Sequence, residues 1–328
     1  MGNLIIKPKK RKLLLNQTSQ SSFSNRPIIF RREGERESFE VFQTYQMIDG
    51  RVFRMDNKRY PMPCDAPEKK RLHMQHYIFK EVWNGNFSSP IHERLKQGMR
   101  VLDSGCGVGS WTLDMANEYP ASTFVGVDVI EVAPINIRPS NAELLQFNLL
   151  NGILFPNETF DFIYQRFLWA AFTESQWITL VDELIRVTKT GGWIELTEFQ
   201  AKIYNPGPIA KKLSDAAQQH LSLNGINPKI HLQIPKIMAD TNKFTSIESI
   251  EKIIPLGNWQ ETSRGIKVLE TIAGGLKSLQ VALKMVLGVD NYEYEKMLKQ
   301  FIVEGSKYKM YIKVFCFYGM KAETSETQ

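Results

Sequence analysis

The chain has 328 residues, 43% apolar and 23% charged, near ordinary globular usage, which excludes disorder as a whole-chain description and predicts one large domain or two ordinary ones. No run nears the roughly 18 uncharged apolar residues of a membrane-spanning helix; the most apolar late stretch, 266–289, is broken by Lys267, Lys277 and Lys284. The net charge of +6 is concentrated at one end: residues 1–36 hold nine basic and two acidic side chains, a net of +7, which leaves 37–328 at −1.

A basic chain suggests a nucleic-acid binder, but a near-neutral remainder argues against nucleic acid as a substrate. Cys64, Cys106 and Cys316 lie far apart with no C-x-x-C pair, against a disulfide framework or structural zinc and in keeping with a reducing compartment. The opening 1–38 reads as a disordered basic tail, with a charge run at Pro8-Lys9-Lys10-Arg11-Lys12 and a polar stretch at 16–25. The run resembles a nuclear import signal and names an import receptor as a partner, which predicts a cytoplasmic or nuclear location. A like-charged tail can also be merely solvated. Met1-Gly2-Asn3 begins a myristoylation pattern, yet Ile6 stands where Ser or Thr is wanted.

Residues 39–65 read as irregular, with turn signals at Asp49-Gly50 and Pro61 to Pro63. Asp65, with Glu68 three residues on, predicts a capped helix over 67–83. Alternation follows: strand 100–103, a glycine loop, helix 110–119, and strands at 123–128, 143–147 and 160–165. Thr173 and Gln176 make a capping box for a helix with Trp177, Leu180, Val181, Leu184 and Val187 on one face. Gly191-Gly192 is expected to end that helix, before a strand at 193–199. Such alternation implies βαβ units and a mostly parallel sheet. Helices are expected at 208–223, 229–240, 261–286 and 292–306, and strands at 246–254 and 308–318. The division expected is a tail (1–38), a cap segment (39–98), an α/β domain (99–321) with a helical insertion at 205–306, and a polar tail (322–328).

The informative segment is Val101-Leu102-Asp103-Ser104-Gly105-Cys106-Gly107-Val108-Gly109. An apolar strand ends in an acid, and three glycines at spacing two run into a helix. Glycine serves where φ must be positive or a ligand must approach the backbone, and the helix N-terminus suits a carboxylate or phosphate. Nineteen residues after Gly109, Asp128 ends the next strand, where an acid accepts from ribose hydroxyls in nucleotide-binding α/β units. The pair predicts a ligand with an adenosine-like half and an anionic half. The glycines fit neither G-x-G-x-x-G nor the G-x-x-x-x-G-K-[ST] phosphate loop, and the loop offers no Lys or Arg to a pyrophosphate. Adenosine with a zwitterionic amino-acid tail fits better.

Asp103-Ser104-Gly105-Cys106-Gly107-Val108-Gly109 resembles the first motif of class I S-adenosylmethionine-dependent methyltransferases. Phe124-Val125-Gly126-Val127-Asp128 is similar to the second, Gln146-Phe147-Asn148-Leu149 and residues 155–163 to the third and fourth, and residues 184–195 to the following helix and strand. The wording, including Arg71-Leu72-His73-Met74-Gln75-His76-Tyr77, resembles a fungal group that includes methyltransferase-like regulators of secondary metabolism. The resemblance implies an α/β fold, a Rossmann-like doubly wound seven-stranded sheet whose last strand lies antiparallel beside the fifth, with an N-terminal helical cap. It implies S-adenosyl-L-methionine as cofactor, with Asp103 toward the methionine ammonium and Gly105, Gly107 and Gly109 in the loop. Asp128 would take the ribose, Val129 and Asn148 the adenine, the Leu149 N–H a ring nitrogen, and Gln165 would face the methionine end.

Methyl transfer needs no shared catalytic triad, because the cofactor brings the electrophile and the protein aligns the nucleophile; no metal pattern is present either. Gln75 and Tyr77 on the cap helix, and Phe167, Trp169 and Phe172 after the fourth strand, are the expected pocket residues. His76 and Arg166 are the catalytic candidates. The plainer reading of these aromatics is core packing beneath a cap. The acceptor is expected to be a small molecule or a protein. A catalytically silent nuclear regulator on the same fold is the alternative reading.

Overall fold

The structure is a computed structural model that describes residues 45–55, 60–130, 138–260 and 263–323, together with the backbone of two short strands, Ile28–Phe30 (β1) and Phe39–Val41 (β2). The chain divides into two units at Thr44 and Tyr45. Of the first, only the antiparallel pair of β1 with β2 is described. That pair overlaps the stretch expected to lack structure through residue 38. Ile28, Ile29, Phe30, Phe39 and Val41 are β-formers, whose signal is submerged by the polar residues around them. The charge run at 8–12, the myristoylation pattern and residues 324–328 lie outside the described residues.

The second unit opens with a hairpin, Tyr45–Ile48 (β3) and Arg51–Arg54 (β4). Its turn is Asp49-Gly50, with φ of 49° and 73°, the two positive values a two-residue I′ turn demands. The helix Ala66–Trp83 (α1) starts at Asp65, whose carboxylate accepts from the Glu68 N–H and from Arg51. After a short helix, His92–Gln97 (α2), comes the predicted alternation. It runs through Arg100–Ser104 (β5), Ser110–Glu118 (α3), Thr123–Asp128 (β6), Ala142–Gln146 (β7), Phe160–Arg166 (β8), Glu174–Val187 (α4) and Thr188–Phe199 (β9). The capping box at Thr173 and Gln176 is formed.

The sheet has seven strands in the order β10-β11-β9-β8-β5-β6-β7, where β10 is Phe244–Pro255 and β11 is Tyr311–Lys321. β5 through β9 pair in parallel; β11 lies antiparallel between β9 and β10, with Cys316 opposite Thr197. The expected Rossmann-like arrangement is therefore present. Neighbours β5 and β8 send the chain in opposite directions across the sheet, so their C-terminal ends flank the switch point where ligands bind in such folds. Between β9 and β11 stand Pro208–Leu223 (α5), Ile230–Asp240 (α6), Ser263–Ser278 (α7), Gln280–Leu287 (α8) and Asn291–Lys307 (α9).

Three expectations need correction. The stretch 39–65, expected to be irregular, holds the hairpin of β3 and β4, whose turn is the Asp49-Gly50 signal. The helix over 174–187 ends at Val187, and Gly191-Gly192 fall within the span of β9. There the pairing of β8 with β9 shifts register, from Phe160 opposite Thr188 to Phe162 opposite Trp193, so the glycines take up a bulge. The single helix expected over 261–286 is two, α7 and α8, joined at Leu279.

Buried apolar faces set the layers. Val101, Trp111, Met115, Phe124, Phe162 and Tyr164 form one cluster between α3 and the sheet. Another joins Ile78, Phe79 and Val82 of α1 to α5, α7 and α9 through Leu213, Val268 and Phe301. α1 thereby spans from α3 to α7 over the ends of the strands.

Candidate functional site

A cavity of about 290 Å³ opens at the C-terminal ends of β5, β6 and β8. One end is walled by the loop 105–108, Asp128 and Asn148; the other by α5 and α7, with α1 across the side.

The glycine loop is bent by three left-handed residues, Gly105, Gly107 and Gly109, at φ of 73°, 58° and 78°. The Gly105 and Cys106 N–H groups both donate to the Val127 carbonyl, at 2.8 and 2.9 Å, which ties the loop to the end of β6. Gly107 is tied by a side chain: its N–H donates to Asp128 Oδ2 at 2.7 Å. The other oxygen, Oδ1, accepts from the Ile130 N–H at 3.0 Å. Burial raises the Asp128 carboxyl above its usual range, against the pull of these N–H donors. A Cβ at Gly107 would meet only Leu72 Cδ1, at 3.6 Å, so the bare backbone there leaves an open cradle.

Asp103, next to the end of β5, stands on the same wall, 4% exposed. Thr112, in the first turn of α3, donates to its Oδ2 at 2.6 Å. Burial pushes the Asp103 carboxyl up to about 7, while the Thr112 hydroxyl and the Arg166 charge hold it down. Such a carboxyl, poised near neutrality, is satisfied by a cationic ligand.

Val129, Asn148 and Leu149 also line the cavity. The Val129 carbonyl accepts from Gln146 Nε2 at 2.9 Å. Asn148 Oδ1 accepts from the Leu150 N–H at 3.0 Å, capping the short 3-10 turn Leu149–Asn151, so the amide is held against its own backbone.

The far end is set by the segment after β8. Phe167, Trp169 and Phe172 face the cavity. Phe167 has φ of 63°, a conformation an aromatic residue adopts only when its surroundings enforce it. The enforcing group is Glu198 on β9, fully buried, whose carboxylate accepts from the Leu168 and Trp169 N–H groups at 3.0 and 2.9 Å. Burial pushes Glu198 up to about 8, against those two donors. Another buried β9 acid, Glu195, accepts from the Ser88 and Ser89 N–H groups and so fastens the chain after α1.

Gln75, 9% exposed, and His76, 2% exposed, line the cavity from α1. Arg166 enters from the end of β8, between the Tyr164 and Phe167 rings. Its Nη2–H donates to His76 Nδ1 at 3.1 Å. An arginine can only donate, so His76 carries its proton on Nε2, which donates to Asp114 at 3.1 Å. Lys80 and Asn86 donate to the same Asp114 oxygen, at 2.7 and 3.0 Å. Burial opposes the Asp114 charge, but those donors hold its pKa far below the usual carboxylate range. Burial lowers the His76 pKa. The lone pair that a general base would need is engaged by Arg166.

Three residues singled out from the sequence lie off the cavity wall. Gln165 alternates with Tyr164 and Arg166 along a pleated strand; it is fully buried and accepts from Ser104 Oγ at 3.0 Å. Tyr77, one step round α1 from His76, is 47% exposed and packs edge-on against His73 and His76. Gly109 caps α3 beneath the Leu144 side chain.

Two other wall residues, Arg71 and His220, were given no role from the sequence. Arg71 stands one turn before Gln75, donates to its Oε1 at 2.6 Å and pairs with Glu68; the i, i+4 spacing on an amphipathic helix was its signal. His220, in the last turn of α5, lines the far end, and Asn224 Nδ2 lies 3.4 Å from its Nε2. Its sequence neighbourhood carries no signal. Among the described residues, no group of three or more His, Cys, Asp or Glu could hold a metal ion, and no helix is long and apolar enough to cross a membrane.

A family model described as a methyltransferase domain matches residues 73–242. The secondary metabolism regulator LAE1 of Cochliobolus heterostrophus is 31% identical over 145 residues, 42% of this chain and 45% of that protein. The N-methyltransferase verN of Clonostachys rogersoniana is 31% identical over 160 residues, 47% of this chain and 55% of that protein. The secondary metabolism regulator LAE1 of Pyricularia oryzae is 25% identical over 240 residues, 70% of this chain and 72% of that protein. For the first two, the match spans about half the relative's length.

Proposed function

The chain belongs to the methyltransferase domain family, and from that premise we propose that it transfers the methyl group of S-adenosyl-L-methionine to a small-molecule or protein acceptor. The observation that carries this reading is the pairing of Asp128 with Gly107. A carboxylate at the end of β6 fixes a left-handed glycine whose open face borders the cavity, the cradle that a nucleoside with a bulky tail requires.

When bound, the cofactor supplies a methyl carbon open to direct displacement. Asp128 has lone pairs left for ribose hydroxyls after its two backbone contacts. Asp103 would hold the ammonium, Val129 and Leu149 would border the adenine, and Asn148 would present its amide edge. At the far end, Phe167, Trp169 and Phe172 give an apolar wall that excludes water from the acceptor, and excluding water strengthens every charge interaction within.

Two of the relatives are named as regulators rather than by a reaction, which supports a second reading, a catalytically silent regulator on the same fold acting through protein partners. The basic run at 8–12 supports a nuclear or cytoplasmic location through an import receptor. Calorimetry with S-adenosylhomocysteine and with NAD separates cofactor classes: the first is expected to bind and the second not. Incubating host small-molecule and protein extracts with radiolabelled cofactor then separates the two readings. Label in a product marks the enzyme; cofactor binding without any labelled product marks the regulator.

A further inference from the structure

Arg166 is a cation in the wall of a largely apolar cavity, and no carboxylate forms an ion pair with it among the described residues. A guanidinium has five N–H donors in a fixed fork. One of them goes to His76, and the aromatic faces of Tyr164 and Phe167 at 5.7 and 5.5 Å take part of the charge. What is left is a partly buried guanidinium whose other N–H groups have no hydrogen-bond partner among the described residues, a fork open to a ligand.

The arrangement behind Arg166 is built for aim. Asp114 accepts from His76 Nε2, and His76 in turn accepts from Arg166. Lys80 and Asn86 neutralise and fix Asp114, so the ring cannot flip without breaking contacts at both of its nitrogens. Three elements thus converge on one guanidinium: β8 carries it, α1 holds it and α3 holds α1's histidine. Asp103, one of the acids in the wall, lies close enough for the Arg166 charge to be felt there, so the cavity presents a cation with an acid in its neighbourhood.

We propose that Arg166 is the anion receptor of this cavity. It takes a carboxylate of the bound ligand on its free N–H groups, with His76 and Asp114 as positioning residues. A planar guanidinium matches a carboxylate with two parallel hydrogen bonds. The carboxylate has two possible owners: the amino-acid end of the cofactor, or an acidic acceptor whose body packs on Phe167 and Trp169. The inference rests on the methyl-transfer reading for the first owner and stands apart from it for the second.

The test is calorimetry on the full chain with three probes: S-adenosylhomocysteine, its decarboxylated analogue S-adenosyl-3-thiopropylamine, and phenylacetate. The proteins are wild type, Arg166→Met, Arg166→Lys and His76→Ala. If the cofactor owns the carboxylate, Arg166→Met weakens S-adenosylhomocysteine at least tenfold and the decarboxylated analogue less than twofold. If an acceptor owns it, both nucleosides bind unchanged and phenylacetate binding falls at least tenfold. In either case His76→Ala reduces the same carboxylate preference severalfold while leaving the probe without a carboxylate unaffected, a pattern that a packing defect does not produce. Should Arg166→Met fail to fold, Arg166→Lys keeps the charge, loses the fork and is expected to lose most of the preference. Equal binding of all three probes by wild type and the Arg166 variants overturns the proposal, as does a wild type with no preference for a carboxylate. A wild type that binds phenylacetate through Arg166 but neither nucleoside would sink the methyl-transfer reading and leave the receptor standing.

Discussion

The Asp128 carboxylate accepts the Gly107 N–H at 2.7 Å and the Ile130 N–H at 3.0 Å. The acid proposed to bind ribose therefore also fixes the loop on which the nucleoside would lie. Asp128→Ala should remove both functions. We expect S-adenosylhomocysteine affinity to fall by about 1.5–3 kcal/mol, the worth of hydrogen bonds to a charged group. Asp128→Asn keeps one accepting oxygen and should lose less. Calorimetry on both variants tests the order; equal losses would mean that charge alone matters and the loop anchor does not.

Gly107 and Gly126 are both glycines of this half-site, for different reasons. At Gly107 a Cβ has room but φ is 58°, so Gly107→Ala should cost about 1–2 kcal/mol in backbone strain and place a methyl group at the cradle. At Gly126 a Cβ would lie 2.6 Å from Leu144 Cδ2 and from Thr112 Oγ1, so Gly126→Ala should overpack the core by about 1–3 kcal/mol. Thermal melts with and without S-adenosylhomocysteine separate the two. Gly126→Ala is expected to lower the melting temperature and keep ligand-induced stabilisation; Gly107→Ala is expected to lose that stabilisation.

The seven strands of the main sheet, the Thr173 capping box and the glycine loop were legible because each is a local pattern: alternation, an i, i+3 cap, a run of small residues after an apolar strand. What was not legible depends on partners distant in sequence. Glu195 and Glu198 stand in a strand and read as ordinary alternation, yet both are buried carboxylates that fasten loops 29 to 107 residues away in sequence. Arg166 and His76 were visible as candidates, but not their contact across 90 residues, which turns His76 from a base into a support for Arg166. The break at Leu279 has no glycine or proline beside it, and Gly274-Gly275 lie inside α7; tertiary packing overrides propensity there. Gln165 was expected at the methionine end from the resemblance and its place at a strand end, and the pleat turns it away from the wall that Tyr164 and Arg166 line.

Glu198→Ala removes the acceptor of two N–H groups and leaves both buried. We expect the protein to lose about 2–6 kcal/mol of stability, each of the two unpaired buried donors costing about 1–3 kcal/mol. Glu198→Gln retains an accepting oxygen and should lose less than half of that. Urea unfolding measures the difference. In Glu198→Gln, S-adenosylhomocysteine affinity should fall as well, because Leu168 of the perturbed turn packs on Gly105 of the glycine loop.

Asp103 gives the cofactor site a pH dependence whose sign is fixed. Burial holds its carboxyl at about 7 instead of 3.8, so in the free protein it is mostly protonated below neutrality and mostly ionised above. An ammonium group favours the ionised form, so S-adenosylhomocysteine affinity should rise from pH 6 to pH 8 and level off beyond, with proton release on binding near pH 7. Stability of the free protein has the opposite slope from this group. Between the unfolded value and about 7 the folded state holds the extra proton, so stability contributed by Asp103 is lost as pH rises through that window. Thr112→Val removes the 2.6 Å hydrogen bond that favours the carboxylate and should move the affinity midpoint to higher pH. Calorimetry in two buffers of different ionisation enthalpy reads the proton count directly. An affinity that is flat between pH 6 and 8 in both proteins would show that Asp103 does not face the ligand's ammonium.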